Sequence, residues 1–403
     1  MTEHDPITSP TRRDYMTYGG SVLAGGLLAG CTGGGSESGP TETSAETSSE
    51  TTTTTTDDDS YSVTMSPMGE VTFDDVPETI FTRLTHLAGM AFALGRGNDV
   101  NAMHAPAYYD ALWNQFTPRL PGVDLDWSGL YSSWNVSKEK LYALDSDVHL
   151  ADPVSVLALD DWNTADIDEI AENISPWFGN TLSSAHTQPT EAYEGDYEYY
   201  TLWEQFEKVA QVFRAGEQYE ALAAIHDDVL ARIEADLPSE GERPSIVMGG
   251  FSDPSAPYVY NVDTPGFLTA HTRPFEPVDA FDDGVTSGSR VDMEALLEAD
   301  PDVILVFGGL HPTYDMANIR ETLAADSVAS EISAVQNGRI YAQGARYQGP
   351  ILNLFQLEMT AKQLYPDIFG TWPSYTKGPY PEIPADERFF DRGRVADIMT
   401  GDV

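Results

Sequence analysis

The stretch from Thr201 to Ala235 reads as helix with a single interruption at Gly216, and it separates two regions in which strand and helix patterns take turns. Inside it Tyr219, Leu222, His226, Val229, Ile233 and Leu237 recur at helical steps, which makes an apolar stripe on a long rod with an acidic outer face. Pro238 and Gly241 end the rod. Upstream, Tyr61 to Met65 and Glu70 to Phe73 alternate around Pro67 and Gly69 as a hairpin. A short β-rich run from Thr79 to Thr82 leads into a helix from Thr85 to Leu94, stopped by Gly95 and Gly97. A second helix opens at Ser137, whose hydroxyl is expected to cap it, and carries Leu141 and Leu144 inward. It ends near Asp145, before a strand from Val148 to Ala151. Asp166 to Ala171 and Ile174 to Trp177 repeat the pattern. Downstream come the strand Ser245 to Met248, an aromatic loop from Phe251 to Tyr260, the helix Asp292 to Ala299, and strands at Val303 to Phe307 and Arg339 to Ala342. The helix Pro350 to Leu364 follows. Alternation on both sides of one rod predicts two α/β lobes on parallel sheets, joined by a single long helix.

The chain has one cysteine, Cys31, so no intramolecular disulfide or Cys-rich metal site is possible. Arg12 and Arg13 precede an apolar stretch from Val22 to Ala29, too short to span a bilayer but long enough for the core of an export signal. Leu28-Ala29-Gly30-Cys31 then looks like a lipobox, with lipid attached at the Cys31 thiol. Residues 1–31 are therefore expected to be a twin-arginine-type signal, and residues 32–60, rich in Thr, Ser and Glu, a disordered linker. The remaining segments divide into an N-terminal lobe (61–213), the inter-lobe helix (214–237), a C-terminal lobe (238–370) and an extension (371–403) with Trp372, Tyr375, Tyr380 and Phe389-Phe390. That extension either packs on the C-lobe or meets a partner. The formal charge of -44 makes nucleic acid an improbable partner and matches an acidic surface adapted to high salt.

Four stretches carry a family resemblance: "DVPETIFTRLTHLAGMAFALGRGNDV", "VSKEKLYALDSDVHLAD", "VDMEALLEADPDVILVFGG" and "VQNGRIYAQGARYQGPILNLFQLEMTAKQLYPDIFG". In order and spacing the region from Tyr61 to Gly370 resembles a class III substrate-binding protein of ABC importers, the family that captures ferric siderophores, cobalamin, haem or metal ions. The resemblance implies two Rossmann-like lobes held by a stiff helix and a small clamping motion. It also implies an extracytoplasmic receptor, lipid-anchored at the cell membrane and monomeric, that performs no chemistry and delivers its ligand to an ABC permease. In such proteins a glutamate on each lobe meets the permease, and Glu139 and Glu294 occupy that position here. Asn135 and Asn173 head glycosylation sequons, the first beside Glu139.

Open parallel sheets bind ligands beyond the carboxyl ends of their strands, and two lobes place two such crevices face to face. The loops there run over Thr82 to His86, Met103 to Tyr109, Trp127 to Trp134 and the turn after Ala151, then Ser252 to Tyr260, Gly308 to Tyr314 and Gly344 to Gln348. Their aromatics, among them Tyr109, Tyr131, Trp134, Tyr258 and Tyr347, offer broad faces for a bulky chelate or macrocycle. Arg83 and Arg346 are the cations expected nearest the crevice, suited to carboxylate, hydroxamate or catecholate oxygens. His86, His104 and His311 fall in the same loops. The expected ligand is an Fe(III) chelate, with no cofactor and no resident metal, and a corrinoid or haem would suit the same aromatics. A metal-dependent hydrolase built on the three histidines is the alternative of another class. The sequence holds no G-x-S-x-G, H-E-x-x-H, Walker or G-x-G-x-x-G motif.

Overall fold

Besides a two-stranded hairpin there are two larger sheets, and β-rich runs in each follow a helix that stops at an aspartate or glycine. A computed structural model describes residues 60–195, 197–281 and 284–402. The twin-arginine-type signal, Cys31 and the Ser/Thr/Glu linker lie outside the described residues. The expected hairpin is β1 (Tyr61–Met65) with β2 (Gly69–Phe73), whose inward Val63 and Val71 pair and are buried. The N-terminal sheet is all parallel, in the order β5-β4-β3-β6, from β3 (Ile80–Thr82), β4 (Val100–Met103), β5 (Tyr131–Ser132) and β6 (Val148–Leu150). The run Ile174 to Trp177 yields no further strand, only a single parallel bridge between Trp177 and His149.

The C-terminal sheet contains β7 (Ser245–Gly250), β8 (Tyr258–Tyr260), β9 (Val278–Asp279), β10 (Ser289–Arg290), β11 (Val303–Val306) and β12 (Ile340–Ala342). Its order is β10-β8-β7-β11-β12 with β9 also beside β7. The strands β7, β9, β11 and β12 are parallel, and β8 alone runs antiparallel to both its neighbours, β7 and β10. The aromatic segment after β7 turns straight back on that strand, so its end is a strand between β7 and β10 and not a loop.

One device recurs in both lobes. The helix Lys138–Leu144 ends at Asp145 and the helix Met293–Ala299 at Asp300, both in the left-handed region. Two residues later Asp147 accepts from the backbone N–H groups of Glu78 and Thr79, and Asp302 from that of Ser245. Each aspartate thus clips the start of the next strand to its neighbour. Ser137 does stand at the N-cap of the first of these helices, but its side chain makes no capping bond, whereas Asp292 caps the second through Ala295 N–H.

The helical centre is broken three residues earlier than its glycine suggests. Leu202–Val212 is one helix, capped reciprocally by Thr201 and Glu204, and Gly216–Asp236 is the rod. Arg214, at a φ of 49°, turns the chain between them. Leu222, Val229 and Ile233 of the predicted stripe are fully buried. The two lobes do not have separate cores: one continuous apolar cluster runs through both, and a smaller one sits in the N-terminal lobe. The bridge is the helix Pro350–Leu364, every residue of which is buried, packed against the helix Thr85–Ala93. Backbones meet there, since a Cβ on Gly349 would lie 2.6 Å from the Cα of Gly89.

Burial of a helix that carries Glu358 and Lys362 requires a cover, and the C-terminal extension supplies it. Trp372, Tyr375, Tyr380, Phe389 and Phe390 are all buried. Glu358 accepts from Tyr380 Oη at 2.6 Å, from Phe389 N at 2.8 Å and from Arg392, while Lys362 donates to Phe369 O and Glu387. The extension also reaches the N-lobe through Tyr380 N to Gln115 O and Arg119 Nε to Tyr380 O, and the rod through Arg232 to Arg388 O. Removing one partner of a buried ion pair strands the other charge. Arg392→Met is therefore expected to destabilise the protein by about 3–5 kcal/mol in chemical denaturation, and a change under about 1 kcal/mol would contradict this role.

Candidate functional site

The carboxyl ends of the strands from both lobes meet at one seam. β3 delivers Arg83 and then His86, in the first turn of the helix Thr85–Ala93. β4 delivers His104 and, through Ala105 in the left-handed region, Tyr108 and Tyr109 at the start of the helix Pro106–Trp113. From the other side β11 leads to Phe307, Gly308 and His311, and β12 to Arg346, Tyr347 and Gln348. Gly308 has a φ of 66°, and a Cβ there would lie 2.5 Å from the Tyr108 hydroxyl, so the close approach requires glycine.

Ring stacks close the seam. His86 lies on Phe267 with centroids 4.4 Å apart and reaches Tyr347 at 5.9 Å. Tyr108 and His311 stack at 4.1 Å with planes 10° apart. Within the N-lobe, His104 packs on Trp134 at 4.4 Å and beside Tyr109 at 5.7 Å. Arg346 covers the face of Tyr260 at 3.9 Å, and its charge is felt by Tyr109 across the seam. Beside Phe267, a cavity of about 230 Å³ lies between His186 and Thr201 of one lobe and Asp263, Gly266 and Arg273 of the other.

The seam is polar yet poorly hydrogen-bonded. Both ring nitrogens of His86, Nδ1 of His104, Nε2 of His271 and Nε of Arg346 are buried without a partner. Burial pushes His86 down to about 3. The same cause, helped by Arg83, lowers His104 to about 4, and burial with the Arg346 charge lowers His271 to about 3. All three imidazoles are neutral at pH 7.

Other expected site residues are placed elsewhere. Arg83 is only 2% exposed, and its guanidinium donates to the carbonyls of Ser155, Ser133 and Trp134. It ties N-lobe loops together and lends its charge to His104. Tyr131 packs on the smaller N-lobe core under Lys140, and Tyr258 lies under Arg290. Trp127, in a loop expected at the crevice, is fully buried in the N-lobe against Trp113 and Phe92. Glu139 and Glu294 are both exposed in first helical turns at matching places of the two lobes.

The three histidines expected to make a hydrolytic centre stack on three different rings, and among the described residues no group of three His, Cys, Asp or Glu is placed to hold a metal ion. The geometry therefore gives the hydrolase alternative no support. Phe267 and His271 fall outside every loop expected at the crevice. Their segment follows no strand of the parallel set, and only Gly266, at a φ of 112°, marks it as a tight approach.

This arrangement, two α/β lobes with strand ends opposed across an aromatic and polar seam, defines a solute-binding protein. The sequence profile described as periplasmic binding protein matches residues 132–347, more than half of the chain, and the chain belongs to that family. No curated protein matches it. Among solved structures it is similar to a petrobactin-binding protein from Bacillus subtilis (TM-score 0.53, 13% identity, covering 76% of this chain and 99% of that one). A periplasmic solute-binding protein from Veillonella parvula gives a TM-score of 0.53 at 17% identity, with 78% and 88% covered. An iron uptake ABC transporter substrate-binding protein from Streptococcus pneumoniae gives 0.50 at 18% identity, with 75% and 97% covered. At such identities the likeness shows the fold.

The buried imidazoles predict an acid-sensitive protein. His86 takes up its proton near pH 6.5 in the unfolded chain but only near 3 when folded, so its contribution is complete above about 6.5 and is lost as pH falls toward 3. Between pH 7 and pH 5 this one group is expected to remove about 2 kcal/mol. His86→Phe, which keeps a ring on Phe267, should lose that much less over the same interval in urea titrations. An equal loss would rule the assignment out.

Proposed function

We propose that this protein is a membrane-anchored extracytoplasmic receptor that holds an anionic ferric chelate of the siderophore type between its lobes and passes it to an ABC permease. The observation that carries the reading is Arg346. In a chain with 65 acidic and 21 basic residues, it faces the seam with no carboxylate partner among the described residues, beside Tyr109, Tyr260 and His271. A guanidinium in such surroundings matches planar anionic oxygens, and the stacked rings around it suit a bulky chelate once the lobes part. The names of two proteins sharing the fold, one for petrobactin and one for iron uptake, favour the same ligand class.

In this reading Tyr109, Trp134, Arg346, Tyr347, His86, His104 and His311 border the ligand. Glu139 and Glu294 contact the permease, Cys31 carries the lipid, and the protein acts as a monomer with no catalytic step. In molar salt the Debye length is about 3 Å, so the two glutamates act only in close contact pairs.

Tryptophan fluorescence titration in molar salt tests the proposal, with ferric catecholates, ferric hydroxamates, haem and cobalamin as the panel. A saturating curve with an anionic ferric complex is expected, weakened roughly 10- to 100-fold by Arg346→Gln through loss of charge-assisted bonds. Saturation by cobalamin alone, or by nothing in the panel, would defeat it.

A further inference from the structure

His271 is fully buried in the C-lobe, and a chain of buried side chains dictates which of its nitrogens carries the proton. The chain begins at Trp203 of the helix Leu202–Val212, whose indole N–H can only donate, and it donates to Asn353 at 3.0 Å. The atom that receives it must be the amide oxygen, so the other end of Asn353 is the NH2 group, which donates to Gln348 at 3.0 Å. Gln356 donates to the same Gln348 oxygen at 3.0 Å. The remaining Gln348 atom is therefore nitrogen. It approaches the carbonyl of Phe267 at 3.4 Å, an acceptor that independently requires a donor there, and it lies 2.8 Å from His271 Nδ1. A donor at Nδ1 makes Nδ1 the acceptor, and a neutral imidazole then carries its hydrogen on Nε2. That Nε2 has no partner.

We infer that His271 is a ligand-binding residue whose Nε2–H, fixed by the Trp203–Asn353–Gln348 relay, donates to an oxygen of the chelate next to Arg346; this rests on the receptor reading above. Two observations place it there. Arg346 is close enough for its charge to act on the imidazole, and its own Nε lacks an acceptor. Phe267, on the same segment, is the ring on which His86 of the opposite lobe stacks, so parting of that stack opens a path to His271. The seam thus offers two unpartnered donors and demands oxygen acceptors. With its lone pair committed to Gln348, His271 cannot ligate a metal without reversing the relay, so this residue recognises the guest through the oxygens of its chelating groups. Trp203, Asn353 and Gln348 act as positioning residues.

Selective 15N labelling of histidine reads the tautomer in the ligand-free protein, with His271→Gln used to assign the signal. A neutral ring protonated at Nε2 is expected at pH 7. A ring protonated at Nδ1, or a charged ring, would overturn the relay. Titration with a ferric tris-catecholate complex then tests the donor. His271→Phe is expected to weaken binding at least tenfold, while His271→Gln, whose amide reaches as far as Nε2, should stay within about threefold of wild type. Unchanged affinity in both variants, or equal loss in both with unaltered melting temperatures, would remove His271 from the site. Failure of the wild type to bind any complex counts against the receptor reading instead, and the tautomer spectrum still decides the relay.

Discussion

Polar groups buried without partners set the terms on which the two lobes meet. Each such group disfavours closure by about 1–3 kcal/mol, while each aromatic pair adds about 0.5–1.5 kcal/mol beyond its burial. The stacks of His86 on Phe267 and Tyr108 on His311 are set against the orphaned nitrogens of His86, His271 and Arg346. Summed, the unpaired groups outweigh the two ring pairs, so a guest that supplies oxygens changes the balance more than any further apolar contact would. The cluster around Glu358 shows the opposite case. There the carboxylate is as deeply buried, yet it accepts from Tyr380, Phe389 and Arg392 and has nothing left to satisfy. The Glu358 set is paired at its carboxylate, though Arg392 Nη1 has no partner, and the seam set lacks any such pairing.

Closure and opening at the seam are limited by what lies behind it. The rod Gly216–Asp236 does not stand alone between the lobes, because Gln218 and Arg232 donate to the carbonyls of Ile398 and Arg388 in the extension. The extension in turn ties Gln115 and Arg119 of the N-lobe to the helix Pro350–Leu364 through Tyr380. Gly89 and Gly349 bring the two helices into backbone contact, and the extension adds a second tie between the lobes. Large rotations would tear buried hydrogen bonds, whereas a small rocking about the glycine pair would separate only the ring stacks.

Much of this architecture was legible along the chain. The segments Val136 to Leu150 and Val291 to Leu305 share a glutamate, an inward leucine and two aspartates at equal spacing, and they fold into the same helix, left-handed stop and clipped strand. The hairpin, the rod's stripe and the helix Pro350–Leu364 also follow their patterns, because local periodicity decides them. The cleft residues were less legible. Arg83 and His86 are close in sequence and yet opposite in fate, one turned into N-lobe carbonyls and the other into the seam. Trp127 and Tyr131 follow a strand-end loop but point to N-lobe packing. Spacing places a residue on a loop without fixing where its side chain goes. His271 was missed because its importance comes from Gln348 and Asn353, distant in sequence. One sign was available for the covering role of the extension: apolar residues round most of Pro350–Leu364 leave no wide face for solvent, and the extension carries five aromatics.

By itself the sequence determined the alternation of strand and helix on both sides of the rod, the strands β3, β6, β7, β11 and β12, and the strand ends beyond which parallel sheets hold ligands. Those follow from hydrogen-bonding periodicity and from the direction of parallel strands, both local properties of the chain. Only the tertiary structure decided which cation stays unpaired, which imidazole nitrogen carries a proton, and whether a charged helix lies in water or beneath a strap. These depend on partners far along the chain, since electrostatics and hydrogen bonding act through space and are set by burial.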